Sequence, residues 1–151
     1  MHISARVDYA MRALTVLAVD EGERVTCEAL AQAQAIPARF LEGILTALRR
    51  AGIVASQRGV DGGYRLARPA GQIAVADVIR ALDGPLAEVR GMRPEQSEYI
   101  GPAKALQEVW IAARASLRDV LEHVTVADIA HGELPQYVVA LTAAPDAWTS
   151  H

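Results

Sequence analysis

"IPARFLEGILTALRRAGIVASQRGVDGGYRLARP", Ile36 to Pro69, changes its hydrophobic period once, and that change decides the fold. Over its first half Phe40, Leu41, Ile44, Leu45 and Leu48 recur at three- and four-residue steps, the spacing of one helix face. Pro37 suits the first turn of that helix, and Gly52 closes it. Beyond Gly52, Ile53-Val54-Ala55-Ser56 and Tyr64-Arg65-Leu66-Ala67 read as two short strands. Asp61-Gly62-Gly63 between them supplies the positive backbone torsions of a hairpin. A nucleotide loop does not fit. A Walker turn ends in Gly-Lys-Ser/Thr and a dinucleotide fingerprint opens a helix, and the glycines here match neither spacing. A strand follows Gly63, so no helix N-terminus is left there to hold a phosphate.

Upstream, Val7, Ala10, Met11, Leu14, Leu17 and Ala18 mark an amphipathic helix from Ser4 to Val19, ended by Asp20-Glu21-Gly22. Thr26 caps a second helix that runs to about Gln34. A supporting helix followed by two short helices and a tight turn is the helix-turn-helix pattern. Downstream, Ala74 to Leu82 reads as a fourth helix, stopped by Asp83-Gly84-Pro85. Leu86 to Gly101 has no period and reads as a loop. Pro102 opens a long amphipathic helix whose stripe is Leu106, Val109, Trp110, Ala113, Leu117, Val120, Leu121 and Val124. Thr125 to Asp128 is a capping-type start for a short helix ending near His131. The expected organisation is a winged helix-turn-helix over 1–84, a loop over 85–101, a dimerisation helix and short helix over 102–132, and a tail over 133–151 with a disordered end. The fold class is mainly α with one small β-hairpin.

The chain has 151 residues, 52% of them apolar, enough for one domain or one domain with an appended helix. Its single cysteine, Cys27, excludes an intrachain disulfide and any metal site built only from cysteines of one chain. The first residues carry Arg6, Asp8 and Arg12 and no uninterrupted apolar core, so they read as neither a signal peptide nor a membrane span. A reducing cytoplasm is the expected compartment. Net charge is −3, but its distribution is uneven. Residues 1–70 hold nine arginines against seven acids, while residues 71–151 hold six bases against eleven acids. Between Pro37 and Arg68 six arginines face only Glu42 and Asp61, a local +4.

A helix-turn-helix followed by an arginine-bearing hairpin is a winged helix. Its third helix can enter a major groove while the wing reaches phosphates or the minor groove. Winged helices also serve as protein-interaction modules, and the pattern alone leaves that alternative open.

The stretches "ISARVDYAMRALTVLA", "IPARFLEGILTALRRAGIVASQRGVDGGYRLARP" and "IAVADVIRALDG" resemble the IscR/NsrR-type winged-helix transcription regulators, the Rrf-two family, over about residues 2–84. "VWIAARASLRDVLEHVTVADIA" looks, more weakly, like that family's dimerisation helix and the helix behind it. The resemblance implies a homodimer acting as a promoter repressor or activator on palindromic double-stranded DNA, with repression the expected sign. It puts Ala38, Arg39, Glu42 and Gly43 against bases. Glu42 would accept from a cytosine amine, and Arg39 would grip a guanine or a phosphate. Gly43 departs from the polar residue, often glutamine, of some relatives, which puts base preference in doubt. In the wing the resemblance brings Ser56, Arg58, Gly59, Gly62 and Gly63 to the DNA, with Arg58 the candidate for minor-groove insertion. Arg49 and Arg50 are either phosphate contacts or an ordinary exposed helix end. Tyr64 reads as packing, and Trp110 as filling the dimer interface.

Many members of this family sense through an iron-sulfur cluster held by three evenly spaced cysteines ahead of the long helix. Aligned on Trp110, those positions hold Met92, Glu98 and Lys104. Asp8 stands where some relatives place an acidic ligand, but an oxygen without thiolates will not hold iron and sulfide. The expectation is a member with no cofactor and no metal, whose 86–101 loop binds another effector or only links the domains. Cys27 near a helix start raises the question of a reactive thiol, though a small residue there needs no chemistry. His2, His123, His131 and His151 show no metal spacing. No nucleophile, base and orienter set marks an enzyme.

Overall fold

The computed structural model describes residues 2–149, so the expectations for His151 and for the extreme tail lie outside it. Helix α1, Ala5–Val19, starts where the Ser4 hydroxyl accepts from the Val7 amide. It buries Val7, Ala10, Ala13, Leu14, Leu17 and Ala18. Helix α2, Cys27–Ala33, starts on the Thr26 hydroxyl, which accepts from the Ala29 amide at 3.2 Å. Ala35 turns the chain with a φ of 50°, and α3 follows over Ala38–Arg50 with Pro37 as its N-cap residue.

Leu41, Ile44, Leu45 and Leu48 form the buried face of α3, but Phe40 does not join them. It is 66% exposed, which corrects the apolar face drawn from the sequence. Phe40 stands instead at the rim of the helix, beside a groove that it shares with Arg6 and Tyr9 of α1.

Strands β1, Val54–Gln57, and β2, Gly63–Leu66, pair antiparallel with Val54 opposite Leu66 and Gln57 opposite Gly63. The wing tip differs from the sequence reading. A turn closed by the Gly62 amide on the Gly59 carbonyl, at 2.9 Å, puts Val60 and Asp61 at the corner. The positive torsions fall on Gly59, φ 108°, and Gly63, φ 143°. A third backbone run completes the sheet, because Val25 and Tyr64 exchange both amide-carbonyl bonds at 2.8 and 2.9 Å.

Helix α4, Val75–Leu82, lies against α1 and α3. Its N-terminal turn is held by Asp77, which accepts from the Ala74 amide and pairs with Arg68 at 2.8 Å. Pro102 does open a helical turn, but a 3-10 turn over Gly101–Ala103, and α5 proper runs only from Leu106 to Leu121. Helix α6, Val126–His131, begins at a reciprocal cap between Thr125 and Asp128. Backbone bonds from Val75 to Val124 and from Val126 to Ile73, both 2.9 Å, bind its start to the start of α4. Val126 is fully buried, and α6 closes the same core as α1. The apolar run after Pro135, inside the expected tail, forms a further helix, α7, Gln136–Thr142.

The stretch 86–101 is more ordered than a bare loop. Val89 and Met92 exchange backbone bonds around Arg90 and Gly91, both with positive φ, and Pro94–Gln96 forms a 3-10 turn. The Gln107 amide on α5 donates to the carbonyls of Pro94, Glu95 and Ser97, fastening this segment to the long helix.

Candidate nucleic-acid interface

Helix α3 is amphipathic in the useful sense: its buried leucines fix it to the domain, and the opposite face projects Ala38, Arg39, Glu42, Gly43, Arg49 and Arg50 into solvent. The helix begins without a side-chain cap and without an acid in its first turn, leaving exposed amide donors and the positive dipole end bare. Thr46 belongs to the same face, one turn beyond Glu42, whose carbonyl accepts from its hydroxyl at 2.9 Å. Sequence reasoning passed over Thr46, although the polar steps 39, 42, 43, 46, 49 and 50 follow the helical period.

The wing stands beside this face. Arg49 Nη1 donates to Ser56 Oγ at 3.2 Å, joining the last turn of α3 to β1. A groove of about 480 Å³ runs between them, lined among others by Thr26, Glu28, Thr46, Arg49, Ser56 and Arg58. Thr26 and Glu28, from the start of α2, are further residues the sequence reading did not place here. Arg58 is exposed and makes no ion pair or hydrogen bond among the described residues. Arg68, by contrast, is taken up by Asp77 and the Gln72 carbonyl, so its charge serves the fold.

Two wing glycines are fixed by space. A Cβ on Gly62 would lie 2.5 Å from the Gln57 carbonyl oxygen, and one on Gly63 would lie 2.9 Å from that of Val25. Gly59 has open space around it, and only its torsion demands glycine.

Cys27 is buried at 8% exposure, and its Sγ donates to the Ala38 carbonyl at 3.8 Å. Burial, and then the nearby Glu28 and Glu42 carboxylates, push the thiol above its ordinary value of 9.0. The lowered value that a helix start alone suggests is therefore reversed. Asp8 pairs with Arg12 one turn along α1 at 3.3 Å, and the Arg12 guanidinium also reaches the Gln34 carbonyl and lies over the Tyr9 ring.

On α5, Leu106, Val109 and Trp110 are 39%, 53% and 38% exposed, and no residue of the helix is buried. Ala113 is exposed as well, with Leu117 and Val120 partly covered. The lower end of the expected stripe departs from this. Leu121 packs on the domain core and Val124 is buried within it at 6% exposure, because the chain turns there into the pairing with α4. Ile111 adds an exposed apolar residue that the stripe omitted.

Residues 3–132 match the Rrf2 family, described as iron-dependent transcriptional regulator. The chain belongs to the Rrf2 family. This Rrf2 protein is 50% identical over 142 residues to an HTH-type transcriptional regulator of Mycobacterium tuberculosis strain H37Rv, covering 93% of this chain and 88% of that one. It is 35% identical to the HTH-type transcriptional regulator CymR of Bacillus subtilis, covering 86% and 90%. The structure of CymR, the global cysteine regulator of B. subtilis, superposes with a TM-score of 0.75 at 33% identity, covering 87% and 98%. That of T. potens IscR superposes at 0.68 and 29% identity, covering 100% and 93%. The chain is thus a winged-helix transcriptional regulator of this family.

The family's iron invites a test of the donor set. The chain's one cysteine, Cys27, is enclosed in the helix-turn-helix core, and Met92, Glu98 and Lys104, which the resemblance sets against the family's cysteines, offer no thiolate. Among the described residues no three His, Cys, Asp or Glu side chains gather as a metal site. These residues do not fit an iron-sulfur cluster. Among them, too, no helix is long and apolar enough to cross a membrane.

Proposed function

We propose that this Rrf2 regulator acts as a cluster-free homodimer, a repressor that reads a palindromic operator with α3 and the wing. The observation that carries the reading is the continuous exposed face formed by α3 and β1, joined by Arg49 and Ser56 and bearing the unpaired Arg58. Glu42 and Arg39 supply an acceptor and a donor fork for base edges, and Gly43 lets the helix approach closely. The bare N-terminus of α3, with Arg49 and Arg50 at its other end, meets phosphates. Arg58 enters the minor groove beside the tip, while Gly59, Gly62 and Gly63 bring backbone close to the sugar-phosphate chain.

Homodimerisation follows from α5. Leu106, Val109, Trp110 and Ala113, with the partly covered Leu117 and Val120, form an apolar strip that the described residues leave open, and a second copy covers it isologously. Two recognition helices then stand roughly one helical turn apart on DNA. Arginine-phosphate contacts supply most of the affinity, so binding falls steeply with salt. The test is fluorescence anisotropy on the DNA upstream of the protein's own gene at several salt concentrations. The reading expects a dimer-stoichiometric complex with a steep negative log-log salt slope.

A second reading, a winged-helix module that binds a protein, draws on exposed Phe40. Phe40 borders a groove of about 480 Å³ lined by Arg6, Tyr9, Arg39, Gly43 and Ile44. That reading expects no sequence preference on DNA.

A further inference from the structure

The joint between the winged-helix domain and α5 holds an open cavity of about 510 Å³ lined by four arginines, Arg80, Arg93, Arg114 and Arg118, together with Glu95 and the backbone turn at Gly84. Its remaining wall is Pro85, Leu86 and Ala87. Three elements contribute cations: α4 gives Arg80, the 86–101 segment gives Arg93, and α5 gives Arg114 and Arg118.

Two carboxylates serve these four guanidinium groups. Glu122 accepts from both Arg118, at 2.9 Å, and Arg80. Glu95 accepts from Arg114 at 2.5 Å and lies within the field of Arg93. Arg93 has no ion pair of its own among the described residues. The cluster therefore keeps a surplus of two positive charges around one concavity in a chain whose net charge is −3. Like charges held this close repel, and a cleft walled by one sign of charge concentrates counter-ions of the other. Guanidinium forks match carboxylate and phosphate oxygens two bonds at a time.

We infer that this cavity is the effector site of the regulator, and that its ligand is a small organic dianion, a phosphoester or dicarboxylate with a short apolar body. The oxyanions engage Arg93 and Arg114, and the body lies against Pro85, Leu86 and Ala87. The volume falls within the range of small-molecule sites. The inference rests on the regulator reading for its consequence: a ligand bridging α4, the 86–101 segment and α5 fixes the angle of α5 against the winged helix. That angle sets the separation of the two recognition helices in the dimer. The ligand thus couples to operator affinity through differential binding to two arrangements of one joint.

The experiment is calorimetric titration of the full-length dimer with inorganic phosphate, pyrophosphate and succinate, each against chloride at equal ionic strength. The first two probes separate from the third the phosphate and carboxylate sources of the dianion. At least one probe is expected to bind saturably, about tenfold more weakly to Arg93→Gln. Glu95→Gln, which removes the competing carboxylate, is expected to bind that probe more tightly than wild type. The bound probe is expected to change operator affinity at least about fivefold. No saturable binding by any probe, or equal affinity in wild type and Arg93→Gln, overturns the inference. So does a loss of dimer in Arg93→Gln without anion binding, which would place partner acids in the cavity. A weakened DNA complex of Arg93→Gln in the absence of any probe, again without anion binding, would place a DNA phosphate there and overturn it equally. Operator binding measured on the same samples keeps the outcomes apart: DNA binding without an anion site sinks this inference alone, and an anion site without DNA binding sinks the regulator reading.

Discussion

Arg49 Nη1 donates to Ser56 Oγ at 3.2 Å, linking the last turn of α3 to the first strand of the wing. Both partners are exposed, so the bond adds little to stability but orients a cationic edge continuous with Arg58. Ser56→Ala is expected to leave the melting temperature nearly unchanged and to weaken operator binding less than loss of Arg58 does.

Arg58→Ala is expected to cost about 1–3 kcal/mol of operator affinity, because a side chain free of intramolecular partners leaves no gap in the fold when truncated. Stability should change by no more than about 0.5 kcal/mol, the usual range for an exposed site. Thermal denaturation beside anisotropy on one operator fragment reads both numbers.

The wing glycines separate strain from crowding. Gly62→Ala and Gly63→Ala must displace the Gln57 or Val25 backbone, and each is expected to destabilise by about 1–3 kcal/mol while disordering the wing. Gly59→Ala meets only a torsional penalty in open space and should cost less. Chemical denaturation of the three variants ranks them.

Cys27 is expected to resist alkylation in the native protein at neutral pH and to react readily once unfolded, since burial raises its pKa and hides the thiol. A raised folded value means that the native state holds this proton more tightly than the unfolded chain. The resulting stability is present below pH 9.0 and is lost as pH rises through the folded value. Urea midpoints of wild type and Cys27→Ala between pH 8 and 10.5 should converge as that contribution disappears.

Trp110→Ala, at the centre of the uncovered α5 face, is expected to weaken the homodimer by at least about 2 kcal/mol. Light scattering on dilution should show monomers that retain the winged-helix core, since of α5 only its last residue, Leu121, packs on that core. Leu45→Ala, from the interior of α3, is expected instead to cost about 2–5 kcal/mol of folding stability.

What the residues announced and what they concealed divide along physical lines. The helix-turn-helix and wing were legible because the leucines of α3 repeat at the helical period and that period stops at Gly52, ahead of the two short strands and their glycine turn, and such local signals survive in sequence. The cap residues Thr26 and Thr125 were legible for the same reason, whereas the Ser4 cap appeared only in the structure. The exposure of Phe40, the burial of Val124 and the Val25–Tyr64 bridge depend on segments distant in the chain, which no local pattern encodes. The arginine cavity drew its members from three separate elements and was invisible before they were folded together. Thr46 was in plain view on the helical period and was passed over because its residue type attracts less notice than arginine.

The central claim, that this regulator reads a defined DNA sequence, is tested most directly by selecting fragments of the host genome on purified full-length protein at moderate salt and sequencing what is retained. The account predicts enrichment of a palindrome whose half-sites lie roughly one helical turn apart, lost with Arg58→Ala. Retention of fragments without a shared motif, equal for wild type and Arg58→Ala, would contradict it.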